Sequence, residues 1–185
     1  MKKVIFALLF LFLLSTFYAP HSFCFPAEDV QLVLNTQYFQ VAKKIIQEAK
    51  HSIQVMMFEM GYYDEHPNSP PNLLIKELII AKKRGVKVEV ILEVKEEEDR
   101  TTKRNRHTGR ILSEGKVEVI YDSLSKTTHA KLVVADGQLI LLGSTNWTYH
   151  ALTTNNETSV LIRSKEVAKA FTDYFSRVKA TGSKK

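Results

Sequence analysis

Apolar positions between residues 30 and 179 switch repeatedly between the spacing typical of β-strands and the spacing typical of α-helices. Apolar runs rich in β-branched residues predict strands at residues 31–34, 52–60, 86–94, 117–121, 131–135, 138–142 and 158–162. Amphipathic stretches predict helices at residues 37–49, 72–84, 102–113 and 165–179. This alternation predicts one α/β domain with a mixed, largely parallel β-sheet flanked by helices on both faces.

The N-terminus carries a different pattern from the rest of the chain. Lys2 and Lys3 precede an apolar run from Val4 to Leu14, and a polar region follows. This order is typical of a secretory signal peptide, which predicts export to the periplasm or the medium. The run is short for a membrane span, and an uncleaved anchor is the alternative if flanking residues extend it. We therefore expect residues 1–24 to be a signal segment and residues 25–185 to form the folded domain.

Polar residues cluster around two neighbouring predicted strands. His129 and Lys131 lie two residues apart at the start of the first strand, so their side chains share one face. Ser144 and Asn146 lie two apart beyond the second strand, where a hydroxyl and an amide are suited to hold phosphate oxygens. Gly143 precedes them and permits a close approach of the backbone. The sequence therefore predicts an anion site with an imidazole beside a fixed positive charge.

Two carboxylates flank this group. Asp136 has the opposite strand parity to Lys131 and belongs to an Asp-Gly turn, so we expect it to support the structure. Glu157 follows Asn146 by eleven residues. Many nucleases bind metal ions through several clustered carboxylates. The sequence shows no such cluster near His129, no cysteine pair and no His-Glu-x-x-His helix, so we expect no cofactor and no metal requirement.

The complete spacing is His-x-Lys-x4-Asp-x6-Gly-Ser-x-Asn, with a glutamate eleven residues later. This spacing resembles the HKD signature of the phospholipase D superfamily. It is most similar to the small single-motif members, namely the Nuc-type bacterial endonucleases and the mitochondrial and Zucchini-type relatives. The resemblance extends from about Val30 to Val178 and implies a phospholipase D-like α-β-α sandwich. Residues 25–185 are then its catalytic domain.

The resemblance and the residue types imply covalent catalysis. His129 would attack phosphorus and form a phosphohistidine, which water then hydrolyses. Lys131, Ser144 and Asn146 would hold the phosphate oxygens, and Glu157 would accept a hydrogen bond from the second imidazole nitrogen of His129. A second imidazole is needed to protonate the leaving group, and the chain has no second His-x-Lys. Single-motif relatives resemble half-enzymes, so we expect a homodimer with one shared site.

The charge distribution favours a polyanionic partner. The formal net charge is +6, and a basic stretch follows the acidic residues 96–99. We expect four cations of this stretch to contact a nucleic-acid backbone, with a solvated helix face as the alternative: Lys103, Arg104, Arg106 and Arg110. For Trp147 and Tyr149, stacking on a base and packing within the protein both remain open.

These patterns predict an exported, metal-independent phosphodiesterase, most strongly a non-specific endonuclease that cleaves DNA or RNA. Within the same chemistry the alternative is a phospholipase D or phosphatidyl transferase that acts on phospholipid head groups. Residues 25–185 show no long apolar or amphipathic insertion for docking on a bilayer, so we expect membrane contact only if the N-terminal segment is retained. A non-catalytic nucleic-acid-binding module is the lesser alternative.

Overall fold

The computed structural model describes residues 24–184, so the predicted signal segment lies outside the described residues except for Cys24. Seven strands and five helices follow one another along this part of the chain. They are β1 (Asp29–Leu34), α1 (Gln37–Glu48), β2 (Ser52–Met57), α2 (Pro70–Lys83), β3 (Lys87–Leu92), α3 (Arg100–Glu114), β4 (Glu118–Tyr121), β5 (Lys131–Ala135), β6 (Leu139–Gly143), α4 (Tyr149–Thr153), β7 (Thr158–Arg163) and α5 (Lys165–Thr181). No helix among residues 24–184 combines the length and the apolar character needed to cross a membrane.

All strands belong to one sheet with the order β1-β7-β6-β5-β2-β3-β4. The predicted mixed sheet with helices on both faces is confirmed, but parallel pairing is confined to β2, β3 and β4. The other four pairings are antiparallel. One reason is the turn at residues 136–138, which joins β5 to β6 and is too short for the crossover that parallel strands require.

The two faces of the sheet are covered by different helices. Helices α1, α2 and α3 pack on one face, where Ile46, Leu78 and Leu112 contribute to the larger apolar core. Helix α5 covers the other face and places Phe175 against residues such as Leu132 of β5. Because every residue of β5 is buried, this central strand holds its two ends in fixed positions. The residues at those ends form the predicted motif.

The edge strand β1 presents apolar side chains to solvent. Val30, Leu32 and Leu34 are 57%, 69% and 44% exposed, and their spacing places them on one face. Leu32 lies in register with Val160 of β7, on the same face as α5. Helix α5 packs on β2, β5 and β6 and leaves these residues uncovered. We call Val30, Leu32 and Leu34 the β1 stripe.

Candidate active site

His129 and Lys131 meet at the start of β5, as their spacing predicts. The Lys131 Nζ donates to the His129 carbonyl oxygen at 2.8 Å and lies 3.4 Å from both ring nitrogens of His129. The ring of Phe58, just after β2, packs 4.4 Å from the His129 ring, measured between centroids. The same Phe58 ring lies 4.8 Å from the Lys131 Nζ. One aromatic side chain therefore orients both the nucleophile candidate and its neighbouring cation.

The ammonium group of Lys131 is buried together with acidic neighbours. Lys131 is 7% exposed, and this burial lowers the pKa of its side chain below the ordinary lysine value. The carboxylates of Glu157 and Glu59 act in the opposite direction, because negative charge favours the protonated amine. A bound phosphate would strengthen that effect. While protonated, the Lys131 ammonium is a cation to which a phosphate oxygen can bind.

Glu157 and Ser144 lie side by side because β6 and β7 are paired at this end. The Ser144 hydroxyl donates to Glu157 Oε2, and the Asn155 side-chain amide donates to Glu157 Oε1 at 3.1 Å. The Glu157 backbone N–H is in turn bound by Asn35 Oδ1 at 2.9 Å. Among the described residues, the partners of this carboxylate are therefore Ser144 and Asn155. The expected bond from the His129 ring to Glu157 is not formed in this structure.

Asn146 retains hydrogen-bonding capacity towards the site. Its Oδ1 accepts the Glu59 backbone N–H at 3.2 Å, and the following Trp147 N–H donates to the Glu59 carbonyl at 3.0 Å. The amide NH2 of Asn146 has no partner among residues 24–184 and remains able to donate to a phosphate oxygen. Glu59 was not predicted from the sequence. It follows β2, and only the three-dimensional fold brings that segment beside Asn146.

Asp136 lies at the opposite end of β5 from His129. Its carboxylate accepts the backbone N–H groups of Lys50, His51 and Ser52 at 2.9, 2.8 and 2.9 Å. Partial burial opposes ionisation of Asp136, but these bonds outweigh it and hold its pKa below the usual range. The backbone of Asp136 adopts a left-handed conformation with φ of 51°. Asp136 therefore makes the contacts of a structural residue and fastens the β5–β6 turn to β2.

Gly143 allows close packing between strands. A Cβ atom at this position would lie 2.3 Å from the Thr158 carbonyl oxygen and 2.5 Å from the Ser159 Cα. The close approach expected of Gly143 is thus made to the backbone of β7. This packing brings Ser144 and Glu157 into contact.

The basic residues of α3 point in different directions. Arg104 forms an ion pair with Glu59 and lies 5.5 Å from the centre of the Tyr63 ring. Arg106 instead lies over the Tyr121 ring, and Arg106 and Arg110 line a separate depression at the β4 edge. Positions two residues apart on a helix differ by about 200° in direction. The structure therefore places Arg104 near the site and separates it from Arg106 and Arg110, while Lys103 is exposed.

The two aromatic residues after Asn146 also differ. Trp147 is fully buried, and its Nε1 donates to the Tyr38 hydroxyl at 3.2 Å beneath the site. Burial raises the pKa of Tyr38 well above its usual range. Tyr149, by contrast, is 46% exposed. Packing within the protein accounts for Trp147 but not for the exposed ring of Tyr149.

A pair of buried acids supports the loop before His129. Glu93 accepts the Thr128 backbone N–H at 2.6 Å, and Asp122 accepts the Thr128 hydroxyl. Burial raises the pKa of Glu93 and the nearby Asp122 adds to this effect, although the bond from Thr128 opposes it. These supporting residues were not predicted. Two acidic residues, Glu89 and Glu93, lie within the apolar run at residues 86–94, and this is the sequence signal that marks them as unusual.

Known proteins resemble this chain in sequence. Residues 42–179 match the family described as "Cardiolipin synthase, PLD-like domain". Mitochondrial cardiolipin hydrolase of Xenopus tropicalis is 32% identical over 105 residues, which cover 57% of this chain and 48% of that protein. Phospholipase D of Rickettsia prowazekii (strain Madrid E) is 28% identical over 134 residues, which cover 71% of this chain and 58% of that protein. The chain thus spans about half the length of these relatives.

Solved structures show the same fold. Nuc from Salmonella typhimurium, a phospholipase D family member, superposes with a TM-score of 0.70 at 24% identity, covering 83% of this chain and 95% of that chain. NucT from Helicobacter pylori gives a TM-score of 0.64 at 15% identity, covering 84% and 99%. At these identities the likeness is one of fold. With the family match over residues 42–179, the resemblance drawn from the motif is confirmed, and the chain belongs to the phospholipase D-like family.

Proposed function

We propose that this protein is an exported, metal-independent phosphodiesterase that cleaves nucleic acid as a non-specific endonuclease. The observation that carries the proposal is the contact between His129 and the buried Lys131, with the donor groups of Asn146 nearby. This set supplies a nitrogen nucleophile, a positive charge and a hydrogen-bond donor to one phosphate. Among residues 24–184, no group of three or more His, Cys, Asp or Glu side chains is placed to hold a metal ion.

The proposed reaction has two displacements at phosphorus. In the first, a ring nitrogen of His129 forms a bond to phosphorus while the bond from phosphorus to the leaving oxygen breaks. The leaving oxygen takes a proton from a second imidazole, that of His129 of the partner subunit. In the second displacement this imidazole takes a proton from water, and the water oxygen replaces the His129 nitrogen. Lys131 and Asn146 stabilise the charge on the phosphate oxygens throughout.

The shared site requires a dimer, and the β1 stripe supports one. Leu34 ends this stripe, and the next residue, Asn35, binds the Glu157 backbone N–H at 2.9 Å. The uncovered apolar side chains therefore extend up to the edge of the site. A second copy packed about a two-fold axis would bury the same surface on both subunits and bring two His129 residues together. Export is proposed from the sequence pattern of residues 1–24.

Hydrolysis of phospholipid head groups is the second candidate. It is supported by the names of the relatives, phospholipase D and mitochondrial cardiolipin hydrolase. The first candidate is supported by the net charge of +6 and by Arg104 of α3, which pairs with Glu59 beside Asn146. Both candidates use the same reaction at phosphorus, so the substrate assay must include both classes.

The test incubates the purified protein in excess EDTA with single-stranded DNA, duplex DNA, RNA and vesicles of phosphatidylcholine with cardiolipin. The protein carrying His129→Asn is the matched control, because it loses the nucleophile and keeps a similar volume. We expect nucleic-acid cleavage that survives EDTA and disappears in the control. Cleavage lost in EDTA and restored by magnesium or zinc would contradict the mechanism. Release of lipid head groups without nucleic-acid cleavage would favour the second candidate.

A further inference from the structure

A cavity of about 800 Å³ lies between the loop that follows β2, the start of α3 and the short helix α4. Its wall includes two tyrosines, Tyr63 and Tyr149, and two arginines, Arg100 and Arg104. Most of the remaining lining residues are polar, with prolines in the loop. A lining of this kind suits a guest that combines a flat ring with negative charge.

The segment from Asn146 to Tyr149 connects the proposed site to the cavity. Asn146, a proposed phosphate donor, lies three residues before Tyr149, and three extended residues span at most about 11 Å. The Tyr149 backbone N–H donates to the Tyr63 hydroxyl at 3.1 Å, and this bond holds the end of the segment beside the cavity. A polynucleotide whose phosphate binds at Asn146 can therefore place its adjacent nucleotide in the cavity.

Tyr149 presents a ring that the fold leaves uncovered. Its side chain is 46% exposed, and the neighbouring His150 ring meets it edge-on at 5.6 Å and 83°. An edge contact of this type leaves a face of the Tyr149 ring available for stacking. A nucleic-acid base can stack on such a face only when it is unpaired and turned out of its own stack.

Positive charge borders the same ring. Arg100 and Arg104 are four residues apart on α3 and so lie on one helix face. Arg104 is held by Glu59, whereas Arg100 is exposed and makes no ion pair with any residue that the structure describes. Glu65 also lines the cavity and brings a negative charge of opposite effect. The charge of Arg100 is thus available to a phosphate, and Glu65 weakens the attraction.

We propose that this cavity binds the nucleotide adjacent to the reacting phosphodiester, with its unpaired base stacked on Tyr149 and its phosphate near Arg100. The inference rests on the proposed function and narrows its substrate to single-stranded polynucleotide at this position. It assigns Tyr149 and Arg100 to substrate binding and leaves the reaction at phosphorus to His129.

The test measures binding of a fluorescein-labelled single-stranded oligonucleotide by anisotropy in EDTA. All proteins carry His129→Asn, so that no cleavage occurs. We expect the added substitution Tyr149→Ala to weaken binding roughly 5- to 150-fold, the range for loss of one stacked base. Tyr149→Phe keeps the ring and should bind nearly as well as the parent. Tyr174→Ala removes a tyrosine of similar exposure from α5 and is the matched control, expected to have no effect.

The role of charge in the cavity is tested with two substitutions that should change oligonucleotide affinity in opposite directions. Arg100→Glu should weaken oligonucleotide binding, and Glu65→Gln should strengthen it, because the first adds and the second removes negative charge at the cavity. Equal affinity for all these proteins would overturn the proposal. Tyr149→Ala that weakens binding to phosphatidylglycerol vesicles but not to the oligonucleotide would overturn it as well, in favour of a lipid head group.

A separate assay distinguishes failure of this inference from failure of the proposed function. Turnover of bis(p-nitrophenyl) phosphate by the unsubstituted protein depends on the reacting groups, and that small diester offers no nucleic-acid base. Absence of turnover would refute the proposed phosphodiesterase, whatever the anisotropy shows. If bis(p-nitrophenyl) phosphate is turned over but Tyr149→Ala leaves oligonucleotide affinity unchanged, the cavity assignment alone is refuted.

Discussion

The two ends of the β5–β6 hairpin carry residues of one sequence motif, yet the polar groups at the two ends differ in how far the protein satisfies their hydrogen bonds. At the turn, the Asp136 carboxylate accepts three backbone N–H groups from residues 50–52. At the open end, the Lys131 ammonium lies beside the His129 ring, and the Asn146 amide keeps a donor without a partner in the described chain. Polar groups satisfied within the protein stabilise the fold, whereas groups with spare capacity can bind substrate. We call the turn that holds Asp136 the structural end, and the open end that holds His129, Lys131 and Asn146 the chemical end.

The largest effect should come from the chemical end. His129→Asn removes the proposed nucleophile from an exposed position, so turnover should fall by at least about 1,000-fold. The thermal midpoint should stay within about 2 °C of the parent, because no core volume is lost. Rates on a labelled oligonucleotide and a thermal scan measure the two quantities. A strongly lowered midpoint would show that His129 also has a structural role.

The structural end should respond in the opposite way. Asp136→Ala removes the acceptor for three N–H groups, so the free energy of unfolding should fall by about 2 kcal/mol. Asp136→Asn is the control, since asparagine tolerates the left-handed backbone and keeps one acceptor oxygen. Urea unfolding measures the change. Normal stability with lost turnover would place Asp136 in the chemistry and break the distinction between the two ends.

Acid should weaken the structural end selectively. The pKa of Asp136 is held below its usual range, so its contribution to stability is present above the ordinary aspartate value and is lost as the pH falls through the lowered value. The difference in unfolding free energy between the parent and Asp136→Asn should therefore shrink as the pH falls from about 6 to about 3. A difference that stays constant over this range would contradict the assignment.

Subunit mixing tests whether the chemical end is complete in one chain. Equal amounts of parent and His129→Ala protein are mixed and allowed to exchange subunits at random. The mixture should show about one quarter of the activity of the same total concentration of parent protein, because only parent homodimers hold two imidazoles. Exchange is followed with a tag on one partner. Activity of about one half, or an active monomer in sedimentation, would show that a single chain suffices and that another group protonates the leaving oxygen.

The smallest effect concerns the cations of α3. Arg100→Ala should reduce the slope of log affinity against log salt by roughly 0.7 to 0.9, the value for one lost phosphate contact, because Arg100 is exposed beside the cavity. The double substitution of Arg106 and Arg110 by Ala should leave the slope unchanged, because both side chains line the depression at the β4 edge. Arg100→Lys keeps the charge and serves as control. Equal changes in both variants would restore the basic stretch as one continuous contact surface.

The sequence predicted the elements better than their pairing. Every predicted strand and helix is present, because each has its own apolar period and a turn or cap at its ends. Helix α4 was missed, since five residues are too few to show a period and its start depends on a hydrogen bond to the Thr148 side chain. The antiparallel pairing of β5 with β2 is set by packing between segments far apart in the chain, which local patterns do not report.

The candidate site was predictable only where its residues are close in sequence. The spacing from His129 to Glu157 identified one set of residues, and the fold brings all of them except Asp136 to one end of the sheet. Phe58 and Glu59 lie far earlier in the chain and join the cluster through the pairing of β2 with β5. The partner of the Glu157 carboxylate was also not predictable, because Ser144 and His129 are both suitable donors by residue type.

The position of β1 has a consequence for the order of folding. Among the strands of residues 24–184, β1 comes first and pairs with β7, which comes last, so its place in the sheet does not exist until residues 158–163 are available. Contacts between such distant segments form slowly, because a long loop must close first. During synthesis β1 is therefore left without its β7 neighbour until residues 158–163 have been made, and the edge that carries the β1 stripe is the last part of the sheet to form.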